Sequence, residues 1–265
     1  MSDLGFMRLL TTSGNPKTDK GAKYGFATAI LHLAPADLSG WNTCPGATAG
    51  CKAACLNTAG HGGIAKGGIV TYDSVKSGAR SNAVQAARIA RTAYLFQDRQ
   101  AFLQRLHKEI AAFIRKVEKA GLVPCVRLNG TSDIRWEASA FHLDGKSIFD
   151  HFPNVRFYDY TKLANRRDLP ANYSVTFSLA DGNEAKARAA LANGLNVAAV
   201  FRSEGARDAW RKIGFLGHPV IDGDDSDLRF LDPKGVIVGL YAKGNARHDT
   251  TGFVVDHPVA LQLAA

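Results

Sequence analysis

The chain has 265 residues, 46% of them hydrophobic, with 33 basic and 24 acidic side chains for a formal charge of +9. That length and apolar content bury a full core and suit one large α/β domain, the preferred reading, or two small ones, and there is no low-complexity tract or arginine-rich tail. No apolar run is long enough to cross a bilayer, and Met1–Gly5 lacks the basic and apolar regions of a secretory signal, so a cytoplasmic protein without a membrane partner is expected.

The first forty residues read as strands and turns, with an apolar run from Tyr24 to Leu33 that Pro35 ends. A stretch rich in Gly and Ala follows and carries Cys44, Cys51 and Cys55, three of the four cysteines in the chain. Core packing gives little reason to crowd thiols into such a loop, whereas zinc and iron–sulfur clusters require thiolates. A reducing compartment also argues against disulfides. Six residues separate the first pair and three the second, unlike zinc knuckles and ribbons, where the thiols pair two residues apart. The spacing therefore predicts an iron–sulfur cluster, with zinc, a disulfide or unligated thiols as alternatives. Three local ligands leave a fourth position to Cys125, to His61 or to an exogenous group. Between Gly60 and Gly62, His61 also reads as an ordinary turn residue.

Residues 71–121 read as a helical region. From Asp98, which suits an N-cap, apolar residues recur at Phe102, Leu106, Ile110, Phe113, Ile114 and Val117, and Gly121 stands where a C-terminal cap belongs. Much of the positive charge lies here, at Arg80, Arg88, Arg91, Arg99, Arg105, Lys108, Arg115, Lys116 and Lys119. It favours a polyanion such as a nucleotide or nucleic acid, although basic helix residues are most often just a solvated face.

From residue 122 to 265, β-type runs (123–129, 155–160, 174–179, 197–202, 236–241) alternate with helical ones (183–194, 204–213). That alternation predicts a parallel sheet with right-handed crossovers. No glycine-rich dinucleotide fingerprint follows any strand, which favours a complete or partial (β/α) barrel over an open doubly wound sheet. The expected organisation is a single α/β domain: N-terminal strands and cysteine loop (1–70), a helical region (71–121), then strand–helix repeats (122–265).

Functional groups in parallel folds gather at the carboxyl ends of strands. Here those ends carry Arg127, Asn129 and Asp133, then Asp159 and Lys162, then Asp181, then Arg202. Alternation puts Cys125 on the face of Arg127 and Asn129, roughly 13 Å below Asn129. That is deep for a cluster ligand and suits a buried thiol acting as a small hydrophobe. The acidic run Asp222, Asp224, Asp225, Asp227 offers either a hard-cation site or a turn whose carboxylates cap amides and pair with arginines. Lys243, after the last strand and next to Gly244, suits a phosphate or carboxylate.

The chain resembles the gene product 88 family of phage- and plasmid-encoded proteins. The likeness lies in Asn42–Cys55, Arg127–Asp133 with Trp136 and Glu137, Phe157–Lys162, Asp222–Asp224, Arg229–Pro233 and Gly239–Gly244, and it implies a mobile-element origin. A looser resemblance is to radical S-adenosylmethionine enzymes, in which three clustered cysteines of a partial barrel hold a four-iron cluster with one open iron. Their spacing of three residues and then two differs from the six and three found here.

These observations predict an iron–sulfur enzyme acting on a nucleotide or nucleic acid. Cys44, Cys51 and Cys55 would hold a 4Fe–4S cluster, Arg127, Asn129, Lys162 and Lys243 would bind substrate, and Asp133, Asp159 and Asp222 would orient it or move protons. S-adenosylmethionine is the cofactor that the looser resemblance implies. The alternatives are a non-catalytic nucleic-acid-binding protein with a structural metal, or a metal nuclease built on the acidic run.

Overall fold

The structure, a computed structural model, describes residues 8–12, 21–166 and 168–258; parts of the expected N-terminal strands and turns (1–7 and 13–20) lie outside the described residues. In chain order the strands are β1 (Leu10–Thr11), β2 (Phe26–Leu31), β3 (Ile64–Ala65), β4 (Gly68–Ile69), β5 (Val123–Arg127), β6 (Arg156–Thr161), β7 (Tyr173–Ser178), β8 (Val197–Phe201), β9 (Val220–Asp222), β10 (Ile237–Tyr241) and β11 (Val254–Val255). The helices are α1 (Ala49–Ala53), α2 (Tyr72–Lys76), α3 (Ala83–Gln97), α4 (Arg99–Lys119), α5 (Ile148–His151), α6 (Glu184–Ala192) and α7 (Glu204–Ile213).

Helix α4 forms where its spacing predicts. Asp98 caps it by accepting from the Ala101 amide at 3.0 Å, and Phe102, Leu106, Ile110, Phe113 and Val117 are buried on one face. Gly121 leaves the helix at φ +70°, a conformation that costs glycine little. The expected strands likewise appear within a residue or two of their predicted ends at β5, β6, β7, β8 and β10.

Nine strands belong to one mostly parallel sheet, and β3 with β4 forms a separate hairpin. The chain divides into two compact units. The first holds the described residues of Met1–Cys44, Ala83–Asp159 and Arg167–Ser174. In it β1 runs antiparallel to β2, β2 parallel to β5 from Phe26↔Val123 to Ile30↔Arg127, and β5 parallel to β6 at Cys125↔Arg156. Cys125, Val126, Arg127 and Leu128 are all buried, so β5 is covered on both faces. Helix α4 packs on this part of the sheet, and Phe149 of α5 stacks on Tyr173 and meets Phe157 edge-on.

The second unit holds Pro45–Asn82, Tyr160–Arg166 and the described residues of Val175–Ala265. Its strands β7, β8, β10 and β9 are parallel neighbours in that order. Phe177, Ala187, Leu191, Val197, Phe201, Ala206 and Ile237 form its main core. Strand β7 pairs with β8 only at Val197 and Ala198; beyond them β11 takes over, with Val254 opposite Val200 and Val255 opposite Phe201. The sheet therefore changes neighbours at the carboxyl end of β8.

Among the described residues β1 pairs only with β2 and β9 only with β10, so the barrel closure expected from the repeats is not seen. Strand–helix alternation dictates parallel order, but closure depends on tilt and stagger, which periodicity does not encode. No helix among the described residues is long and apolar enough to cross a membrane.

Candidate functional site

In the first unit the loop after β5 is built around Asn129. Its side-chain oxygen accepts from Ser132 Oγ (2.8 Å), the Ile134 amide (2.9 Å) and Trp136 Nε1 (3.2 Å), while its amide donates to the Ile134 carbonyl and to Asp159 Oδ2. Asp159 also accepts from the Asn129 backbone N–H at 2.8 Å and from the Tyr173 hydroxyl at 3.0 Å, and Arg127 Nε lies 4.0 Å from it. Arg127, Asn129 and Asp159 are brought together, but at 3%, 2% and 1% exposure they are sealed from solvent. Asn129 has both amide hydrogens and its oxygen committed. Its place in the structure is to fix the loop that carries Asp133.

Asp133 is buried too, and its amide donates to the Thr43 carbonyl at 2.8 Å. Next to Thr43, Cys44 points its sulfur at the Thr131 carbonyl, 3.8 Å away. One of the three clustered thiols thus stands beside the polar end of β5. Three basic residues of the neighbouring helices hold the fold. Arg91 donates to the carbonyls of Arg8 and His32, Arg99 to that of Ala140 while lying over the Phe141 ring, and Arg105 pairs with Glu109.

The second unit carries the other two thiols, since the boundary between units falls between Cys44 and Pro45. Thr48 caps α1 by accepting from the Cys51 amide, and its hydroxyl donates to Asp181, just past β7. Asp181 also accepts from the Gly50 amide at 3.1 Å. No Cβ fits at Gly50, because Asp181 and Thr251 occupy its space, and a Cβ on Gly46 would stand 2.9 Å from Lys162 Cβ. The loop 45–55 is therefore seated on the carboxyl ends of the strands. Cys51 packs on a small cluster of Ala54, Ala180, Ala242, Ala246, Phe253 and Val254, and Cys55 accepts from the Asn57 amide at 3.5 Å. Lys162 donates to Ser178 Oγ at 3.0 Å and lies over the Phe253 ring.

The acidic run meets cations. Arg207 Nη1 lies 2.9 Å from Asp222 and 3.5 Å from Asp224, and Lys243 Nζ is 2.5 Å from the other oxygen of Asp224. Arg207 reaches them by crossing β10 at Gly239, where a Cβ would come 2.8 Å from its Cγ. Asp222 and Lys243 thus belong to one ion-paired cluster, the turn alternative for this run. Burial holds the Asp232 carboxyl above its usual range against the pull of Arg229.

Among the described residues no three His, Cys, Asp or Glu side chains group so as to hold a metal ion. Cys125 is fully buried and burial pushes its thiol up to about 12, which suits a core residue rather than a thiolate ligand. His61 is exposed in the turn Gly60–Gly63, whose Gly62 and Gly63 are buried, and its carbonyl accepts from Asn82. Asp181, one of the strand-end residues read from the sequence, organises the second unit together with Thr48 and Arg207, which the sequence does not single out. Thr48 carries a readable N-cap signal, whereas Arg207 reads as a solvated helix cation.

A model of the gene product 88 family matches residues 8–257. The chain belongs to that family. The gene product 88 match takes in both units' strand ends and all three clustered thiols, so the site described above lies wholly within it. No curated protein and no solved structure matches the chain.

Proposed function

We propose that this gene product 88 protein binds and acts on a nucleotide or nucleic acid at the carboxyl ends of its parallel strands, beside the thiol-bearing loop. The supporting observation is the seating of residues 45–55 on those ends through Asp181, with Lys162 as the adjacent cation. An ammonium placed by Ser178 and an aromatic face suits a phosphate. Calorimetry with nucleoside triphosphates and short oligonucleotides tests it. Lys162→Ala is expected to weaken binding at least tenfold; an unchanged affinity overturns the assignment.

A second reading rests on the crowding of Cys44, Cys51 and Cys55 into one short stretch of chain: in it these three carry an iron–sulfur cluster and the protein is similar in chemistry to radical S-adenosylmethionine enzymes. Anaerobic purification followed by iron and acid-labile sulfide analysis, with spectra taken with and without S-adenosylmethionine, decides it. Stoichiometric zinc in a colourless protein, or no metal at all, ends it. The nuclease alternative draws no support from the acidic run, whose Asp222 and Asp224 are engaged by Arg207 and Lys243.

A further inference from the structure

The hairpin of β3 and β4 departs from the rule that large aliphatic side chains are covered. Ile64 and Ile69 face each other across its strands and are 71% and 63% exposed. Directly opposite residues lie on one face, so the two side chains form a single apolar ridge. A hairpin this short has little stability of its own, yet this one is clamped. Asn82 donates to the carbonyls of His61, Gly62 and Ile64, Arg80 to that of Ile69 at 2.8 Å, and Asn245 to that of Val70. At the base Gly63 lies against the Thr58 backbone with no room for a Cβ. The fold thus holds two isoleucines rigidly in solvent.

The segment that carries the hairpin has a positive balance. Lys66 forms the tip with Gly67, and residues 45–82 contain Lys52, Lys66, Lys76 and Arg80 against the single acid Asp73. We infer that the hairpin is a duplex-DNA contact, with Ile64 and Ile69 as an apolar wedge at a base step and Lys66 on a backbone phosphate. Three arguments choose this occupant. Aliphatic wedges flanked by basic residues are how architectural proteins open duplex steps, whereas single strands are held by aromatic stacking, and the ridge contains no ring. Insertion into a bilayer would carry the Lys66 ammonium at the tip into hydrocarbon. A positive strip also repels a second copy of itself.

This inference rests on the nucleic-acid reading above, and the experiment separates the two. Full-length protein is titrated against a fluorescein-labelled 20-base-pair duplex at several salt concentrations, and against the same duplex carrying 2-aminopurine. Wild type is expected to bind and to raise 2-aminopurine fluorescence by unstacking. Ile64→Ser with Ile69→Ser, both at exposed positions, is expected to lose affinity tenfold or more and to abolish the fluorescence rise. Lys66→Gln is expected to lower the salt slope by about one. Equal duplex binding by the double variant, with an unchanged melting temperature, overturns the hairpin and leaves the strand-end reading intact. Nucleotide binding through Lys162 without duplex binding does the same, and loss of both kinds of binding in wild type sinks both. Isoleucine-dependent binding to phosphatidylserine–phosphatidylcholine (1:3) vesicles, or isoleucine-dependent self-association in sedimentation, without duplex binding, also overturns it.

Discussion

Asn129 illustrates how a residue at a strand end can serve chemistry at one remove. Replacing it with alanine strips the Ile134 amide, the Trp136 indole and the Ser132 hydroxyl of one shared acceptor in a buried setting. At about 1–3 kcal/mol for each buried group left unpaired, Asn129→Ala should lose about 3 kcal/mol or more, read from the urea midpoint. His107 sets a pH dependence. Burial first, and then His151 with its ring 4.6 Å away, push its imidazole down to about 4, with Asp144 opposing. Below its ordinary value of 6.5 the unfolded chain takes up a proton that the folded chain refuses until about 4. This contribution is therefore complete above pH 6.5 and is lost as pH falls through that window. The urea midpoint of His107→Phe should fall less between pH 7 and pH 4.5 than that of wild type. The sequence shows that polar residues gather at the ends of β5, β6 and β7, because strand periodicity and polarity are local properties. It does not show that Asn129 and Asp159 satisfy each other, because that contact is made across thirty positions of chain.

Elements long enough to carry a period were legible; short ones were not. Helix α4 announces itself through a cap and six apolar positions, whereas β9, β11 and the β3–β4 hairpin offer two or three residues each, too few to distinguish from loop. Helix α1 was hidden for another reason. Its Gly- and Ala-rich sequence reads as an open loop, yet Gly50 is required by close approach to Asp181 and Thr251, and Cys51 packs rather than projects. Asp181 is the fastening point of this element. Asp181→Ala should destabilise the protein by about 1–3 kcal/mol and speed alkylation of Cys51 in the native state, followed by mass spectrometry. Gly50→Ala should have the same two effects for a steric reason.

Each compact unit is assembled from three separate stretches of chain, and strands β6 and β7 run from one unit into the other. Contiguous segments therefore do not coincide with folding units. A fragment of residues 1–159 lacks Tyr173, the hydroxyl partner of Asp159, and the stack on Phe149. It should show no cooperative thermal transition by circular dichroism, unlike the intact chain. The positive charge of the whole molecule was evident from composition, but its deployment was not. Several helix cations hold carbonyls and carboxylates, while Arg80 and Lys66 stand at an uncovered apolar ridge.

The late exchange of neighbours along β8 bears on biosynthesis. Phe253 and Val254, which wall in Cys51, leave the ribosome roughly two hundred residues after it, an interval of about ten to forty seconds at ordinary translation rates. Throughout that time Cys51 lacks these two neighbours, so its damage by an oxidant is easiest before the final strand arrives.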